Sequence, residues 1–375
     1  MQPIAQELLS LIETHGWRDS FERAIRHAHA QKVHGIEDIR DLDDYIRFIN
    51  DLVTWAPRER GDSRHINEKL VKFYFFLDQE PLKSLQSPIA PHGHSRPLSP
   101  LSAWIVAFAN AWGAYLDTPA SAARVESFRT DPIFNWHEYM PPPSGYMTFN
   151  QFFARHVKPG MRPVAAMADD RVLTTPADST FIGSWQVSEK SKVYVENKLS
   201  VKGLQWSIHQ LLEGSAYADR FRGGIFTHSF LDTFDYHRWH APVRGRVLEA
   251  RVLQGQAYLD VVVKPGTAGG LAGNTLDTPD GTGYQFVQTR GLVVIDSPVG
   301  LVACLPMGMA QVSSVVITAE VGVTLRKGEE LGYFQFGGSD FVMVFERASN
   351  VQLTSQPGVH YQQGTCAGNA FPSGV

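Results

Sequence analysis

At 375 residues, 43% of them hydrophobic and 19% charged, the chain suits two globular domains of roughly 150 residues or more, with a sizeable core. A formal net charge of −4 gives no basic surface for a nucleic-acid partner. Two cysteines, Cys304 and Cys366, are too few for a disulfide framework or a zinc site and fit a reducing, cytoplasmic compartment.

No run approaches the roughly 18 apolar residues of a membrane span. Met1 to Gly16 lacks the basic segment followed by an apolar one that marks a secretory signal. Ile4, Leu8, Leu9 and Ile12 instead fall at helical spacing with polar residues between them. Packing on its own domain is the first reading of that helix. A membrane-surface helix is the alternative, weakened by the lack of a Lys/Arg-rich polar face.

The helical pattern repeats over Asp41 to Trp55, Ile66 to Leu77 and Leu101 to Leu116. Ser87 to Pro100, with four prolines, reads as a loop, and Phe73 to Phe76, Trp104 and Trp112 read as core. Pro141-Pro142-Pro143 cannot continue a helix, so a helical domain of residues 1–145 is expected to end there. From residue 146 to 375 short β-branched runs alternate with Gly and Pro, giving an α+β protein overall. Expected strands include Gly245 to Leu253, Ala257 to Val263, Gly291 to Ile295 and Val312 to Thr318. The strand–turn–strand segment Ala319 to Gly332 and the one begun at Pro242 are hairpin elements of the kind that build a flattened barrel, as in lipoyl- and biotin-carrier domains.

Three segments carry residues capable of chemistry. Asp178 follows Pro176-Ala177, where it could equally be a turn residue. His237 and His240 stand three apart in Asp235-Tyr-His-Arg-Trp-His-Ala-Pro242. They could be structural or a metal pair, although no further Cys/His cluster has convincing ligand spacing, and no metal is expected. A histidine beside a carboxylate is also the standard way to make a serine hydroxyl nucleophilic. Gly337-Gly338-Ser339 separates two apolar strand-like runs, and the glycines leave the Gly338 carbonyl open to attack by the hydroxyl that follows.

Taken together, Pro-Ala-Asp178, Tyr-His237-Arg-Trp-His240-Ala-Pro and Leu-Gly-Tyr-Phe-Gln-Phe-Gly-Gly338-Ser339 resemble, in order and approximate spacing, the motifs of the phosphatidylserine decarboxylase family. Phe152-Phe153-Ala154-Arg155 followed by Lys158-Pro159-Gly160-Met161-Arg162-Pro163 resembles the start of that family's catalytic domain. The likeness covers about residues 146–346. The helical N-terminal part and the run Pro306 to Ser314 resemble a soluble, tryptophan-decarboxylase-like branch.

The resemblance implies a chain that cuts itself between Gly338 and Ser339. Asp178 would orient His240, His240 would take the Ser339 proton, and residue 339 would become a covalent pyruvoyl cofactor. That ketone would accept the substrate amine as a Schiff base and act as electron sink while carbon dioxide leaves, with His237 assisting decarboxylation or protonation. The implied product is an amine. A free L-amino acid, aromatic and tryptophan-like, is the favoured substrate, and phosphatidylserine, reached through a peripheral membrane surface, is the alternative. A homodimer whose protomers are each cleaved into two chains is implied by the resemblance alone.

Two positions depart from the family pattern. Ser179 stands where glycine is common, and Asp340 stands where a small hydroxyl residue is usual. A carboxylate beside the scissile bond would repel the oxyanion formed on Gly338, or act as an extra base. Two other classes of function stay open. A carrier module would need an exposed lysine at a hairpin tip, for which Lys327 is the candidate. An uncleaved scaffold is suggested by Asp340 alone.

Overall fold

The computed structural model describes residues 1–59, 65–91, 97–195, 204–266, 274–278, 283–308 and 315–372, without the side chains of residues 195, 204, 338 and 339. The N-terminal third is helical: α1 (Pro3–His15), α2 (Arg18–Ala30), α3 (Leu42–Leu52), α4 (His65–Leu77), α5 (Leu82–Leu85) and α6 (Pro100–Leu116), followed by a 3-10 segment, Pro119–Thr130. The helix starts are chemically specified. The Asp41 carboxylate accepts the Asp44 N–H at 2.8 Å to open α3, and the Ser99 hydroxyl accepts the Ser102 N–H at 3.3 Å to open α6. Pro100 therefore begins a helix at its first turn, where it loses no hydrogen bond.

The apolar face of α1 is covered by its own domain. Ile4, Ala5, Leu8 and Ile12 are buried, and the Trp104 indole N–H donates to the Ile4 carbonyl at 2.9 Å. Phe73 to Phe76, Trp104 and Trp112 are likewise core, with Phe73 stacked on Phe108 at 4.7 Å between ring centroids. Among the described residues no helix is long and apolar enough to cross a membrane.

After the short α7 (Phe149–Phe153) the chain is rich in strands. In chain order they are β1 (Val172–Thr174), β2 (Ser179–Gln186), β3 (Lys192–Val195), β4 (Leu204–Ser207), β5 (Ile225–Phe230), β6 (Arg238–His240), β7 (Gly245–Leu253), β8 (Val262–Lys264) and β9 (Thr275–Asp277). There follow β10 (Arg290–Ser297), β11 (Gly300–Gly308), β12 (Val315–Ile317), β13 (Thr324–Leu325), β14 (Glu330–Phe334), β15 (Gly338–Phe345), β16 (Val351–Leu353), β17 (His360–Tyr361) and β18 (Cys366–Ala370). The main sheet is antiparallel, ordered β13-β7-β10-β11-β15-β5-β2-β17; a second has the order β12-β14-β6. The α+β organisation is as expected. The described sheets are open, and no sheet closes into the flattened barrel that the hairpin-like segments suggest.

Two strand expectations fail for identifiable reasons. Ala257 to Val261 is not a strand: the Val261 N–H is taken by the Asp78 carboxylate beyond α4 (3.1 Å), and the Tyr258 carbonyl by the Gln288 amide (2.7 Å). Ala319 to Gly332 is not a hairpin either, because β13 pairs with β7 while β14 pairs with β6 and β12. In the run expected to be a strand over Val312 to Thr318, β12 begins at Val315, and residues 312–314 lie outside the description, as do 309–314 of the Pro306–Ser314 run and 92–96 of the proline-rich loop.

Candidate active site

Gly337-Gly338-Ser339 is not the tip of a hairpin. β14 belongs to the smaller sheet and β15 to the centre of the main sheet, so residues 335–337 carry the chain from one sheet to the other. Gly337 makes this crossing at φ +99°, a conformation that only glycine adopts without strain. The register against β11 then slips: Gly308 faces Gly338, and Met307 faces Asp340. Ser339 is the extra residue of a β-bulge, without a counterpart on β11. Such bulges re-aim a strand locally and leave one residue outside the ladder.

The two histidines of the Tyr-His-Arg-Trp-His segment face different environments. His237 is fully buried, stacked on Phe153 at 3.9 Å, and its carbonyl accepts the Phe334 N–H at 2.8 Å. Neither ring nitrogen makes a well-formed hydrogen bond with a described residue, and only the Asp235 backbone pulls its pKa upward. Burial, helped by the charge of Arg155, holds its pKa well below the ordinary histidine value, so the ring is neutral. His240 is satisfied on both sides. Nδ1–H donates to the Gly328 carbonyl (2.9 Å), which leaves Nε2 to accept from the Tyr236 hydroxyl (3.1 Å). Burial lowers its pKa as well, against the pull of the Gly328 carbonyl. Arg238, between them, is committed to Glu330 (2.8 Å) and to the Ala154 carbonyl (2.8 Å).

Asp178 is not hydrogen-bonded to His240. Its carboxylate accepts from Arg162 at 2.6 and 2.8 Å and from the Gln363 N–H at 2.8 Å, while Arg162 also reaches Glu138 at 2.8 Å. Burial opposes the Arg162 charge, yet the two carboxylates hold its pKa above that of ordinary arginine. The expected orienting contact is replaced by this ion pair. What the fold does bring together is the backbone: the His240 N–H donates to the Pro176 carbonyl at 2.8 Å, which sets Pro176–Asp178 beside β6. Asp178 still acts on the imidazole through space, and its charge raises the His240 pKa.

Two further pairs were not singled out in the sequence. Asp340, the departure at the residue after Ser339, is buried and receives three groups: His228 Nε2 at 3.1 Å, the Tyr284 hydroxyl at 2.9 Å and the Gln285 amide at 3.4 Å. A carboxylate inside a central strand needs such partners, so Asp340 itself was the signal to look for a polar residue in the neighbouring strand. Asp235 meets His360 at 2.9 Å on the wall of a cavity of about 400 Å³, also lined by Tyr139, Arg162, Asp178 and Gln362. The Asp235 contact raises the His360 pKa, overcoming burial.

Lys327 does not have the free tip a carrier lysine needs. It is buried, and its ammonium donates to the carbonyls of Ala166, Asp169 and Val172 at 2.7–2.9 Å.

A bulged serine behind two glycines, and a neutral buried histidine whose backbone is hydrogen-bonded to Phe334 in the strand that leads toward it, fit a serine-derived prosthetic group at position 339. Comparison with known proteins agrees with that fit. The family model described as phosphatidylserine decarboxylase matches residues 149–369. Phosphatidylserine decarboxylase proenzyme 3 of Schizosaccharomyces pombe is 34% identical over 62% of this chain, a match that spans 22% of that protein. Phosphatidylserine decarboxylase proenzyme 2 of Oryza sativa is 32% identical over 63% of the chain and 35% of its own length. The decarboxylase iboD of Amanita muscaria is 31% identical over 63% of the chain and 74% of its own length. The matched region thus spans little more than a third of the first two relatives at most, and most of the helical segment lies outside the family match. Over its strand-rich part the chain belongs to the phosphatidylserine decarboxylase family, whose members are carboxy-lyases that carry a pyruvoyl group made from a serine.

Proposed function

We propose that this chain is the proenzyme of a pyruvoyl-dependent decarboxylase that cuts itself between Gly338 and Ser339. The observation that carries the reading is the β-bulge that takes Ser339 out of the ladder directly after the Gly337 crossing. In the proposed cleavage the Ser339 oxygen adds to the Gly338 carbonyl carbon, and the Gly338–Ser339 C–N bond breaks to leave an ester and a free Ser339 amine. Loss of the Ser339 α-proton and of the Gly338 carboxylate then gives a dehydroalanine, which takes up water and releases ammonia. His240 is the proposed base for the hydroxyl, with Nε2 exchanging the Tyr236 hydroxyl for that of Ser339, and Asp178 supports the charged imidazolium electrostatically.

In the mature site the pyruvoyl ketone supplies the electron sink for loss of the carboxylate. His237, neutral and without a well-formed hydrogen bond, is the proposed group that holds and returns the proton at the substrate carbon.

Phosphatidylserine is the proposed substrate, because the relatives from yeast and rice bear that activity in their names. A free amino acid is the second reading. It is left open by iboD, the relative of the three whose length is matched best, and whose name gives a decarboxylase without a phospholipid. An aromatic, tryptophan-like substrate has no comparable support. Two measurements test the proposal. The intact mass of the purified chain, compared with Ser339→Ala, should show two fragments from the wild type only, the smaller beginning with a pyruvoyl group. Carbon dioxide release should then be seen with phosphatidylserine in mixed micelles and not with free serine or tryptophan. Release from a free amino acid alone would transfer the assignment to the second reading.

A further inference from the structure

The segment that leads into the bulge is held by α6 of the helical domain together with α7. Phe336 is buried in a cage of three rings: Trp112 of α6 at 5.2 Å, Phe149 at 5.5 Å and Phe153 at 5.5 Å, all edge-on. Its N–H donates to the Asn150 side-chain oxygen at 3.2 Å. The Asn150 amide in turn donates to the Asp117 carboxylate, at the end of α6, at 2.9 Å, and the same carboxylate oxygen accepts the Gln335 amide at 3.2 Å. Residues 335 and 336 are therefore fixed by one apolar and one polar attachment to α6 and its cap. On the other side of the bulge, Asp340 is fixed by His228 of β5 and by Tyr284. Between the two attachments lie only Gly337, Gly338 and Ser339.

We propose that Phe336 and Asp340 are two separate anchors for the scissile segment, used at different stages. This rests on the reading of Ser339 as the pyruvoyl precursor. Before cleavage both anchors act together: they fix the two ends of a three-residue span, so that the Gly337 crossing and the bulge hold the bond between Gly338 and Ser339 in one place. Cleavage separates them. The Phe336 anchor then holds the new C-terminus of the large fragment, which plays no further part in the chemistry. Asp340 becomes the second residue of the small fragment, and its contacts with His228 and Tyr284 are what position residue 339 for turnover. The helical domain is thus a positioning device for maturation, while the His228–Asp340–Tyr284 network positions both reactions.

The test is a separation of two rates, cleavage of the full chain after denaturation and refolding, and turnover per mole of pyruvoyl in material already cut. Trp112→Phe, which keeps a ring in the helical core, and Asn150→Ser should slow fragment formation at least tenfold and leave turnover per pyruvoyl within twofold of wild type. Asp340→Asn and His228→Gln should lower both rates at least tenfold. Thermal melts of the same variants in the Ser339→Ala background monitor folding, and Trp112→Phe is the variant expected to melt within a few degrees of its parent. Wild-type cleavage rates in the Trp112 and Asn150 variants, or equal losses of both rates in all four, would overturn the two-anchor proposal. An uncut wild type would overturn the cleavage reading itself.

Discussion

Asp178 and Arg162 form a buried fork-to-fork ion pair, with contacts of 2.6 and 2.8 Å and each side chain 4% exposed. Arg162 spans to Glu138 as well, so one guanidinium neutralises two carboxylates at the wall of the cavity. Removing the cation leaves charge buried without a partner, which costs roughly 3–5 kcal/mol. Arg162→Met, made on Ser339→Ala so that every molecule stays uncut, should lose about that much in urea unfolding. A loss under about 1 kcal/mol would show that water reaches these carboxylates and that the pair is not a structural core element.

The buried histidines predict an acid-labile fold. His237 and His240 both have folded pKa values below the ordinary one, chiefly through burial. The unfolded chain therefore binds protons that the folded protein refuses. Their contribution to stability is intact above the unfolded value of about 6.5 and is lost as pH falls below it, by up to about 1.4 kcal/mol per pH unit for each group. His237→Phe keeps a ring against Phe153 and removes one of the two groups. On the Ser339→Ala parent it should shrink the stability difference between pH 7.5 and 5.5. An unchanged difference would mean that the His237 site opens to water before the fold is lost. In a cut enzyme the same substitution should lower turnover per pyruvoyl by about 100-fold or more, the usual contribution of a general acid–base group.

Much of this was legible in the sequence where the signal was periodic or local. The helices over Leu42–Leu52, His65–Leu77 and Pro100–Leu116 follow from apolar spacing and capping residues, and the strand Gly245–Leu253 from its branched run. The site residues were legible as motifs, but their pairing was not. Asp178 and His240 share a backbone contact, yet the carboxylate found a better partner in Arg162, 16 residues upstream, because a planar guanidinium offers two parallel donors. The glycines of Gly337–Ser339 left the connection open, because a tight turn and a crossing between sheets use the same residues. Which of the two forms is decided by the partners of β14 and β15, and these lie far away in the chain. His228 carries no local mark: its one signal was the carboxylate of Asp340, 112 positions away, which needs a polar partner in the neighbouring strand.

Under the proposed cut between Gly338 and Ser339, the Asp235–His360 contact would tie the two fragments together, since Asp235 precedes that bond and His360 follows it. Burial raises the Asp235 pKa, and the hydrogen bond to Asp235 raises that of His360. Both shifts mean that the folded protein holds protons more tightly than the unfolded chain. The His360 contribution is complete below the unfolded histidine value of about 6.5 and is lost as pH rises through its raised value, whereas that of Asp235 is complete only below the unfolded carboxyl value of 3.8. His360→Ala should therefore lower the melting temperature of the cut enzyme more at pH 6 than at pH 8.5. A difference that is equal at both pH values would show that His360 contributes packing alone.

Gly337 offers the most direct test of the crossing. At φ +99° an alanine is strained by about 1–3 kcal/mol, and the segment can relax only by moving the bulge that follows. Since about 1.4 kcal/mol corresponds to a tenfold change in rate, Gly337→Ala should slow self-cleavage by roughly tenfold to a hundredfold. Gly358 is the matched control. It has φ +80° with no atom within 4 Å of an added Cβ, and it lies well beyond the cut. Gly358→Ala carries similar backbone strain and should cleave at the wild-type rate. Time courses of fragment formation for the two variants, run side by side, decide the matter: equal rates would remove the Gly337 geometry from the determinants of cleavage, whereas slowing confined to position 337 would assign it there.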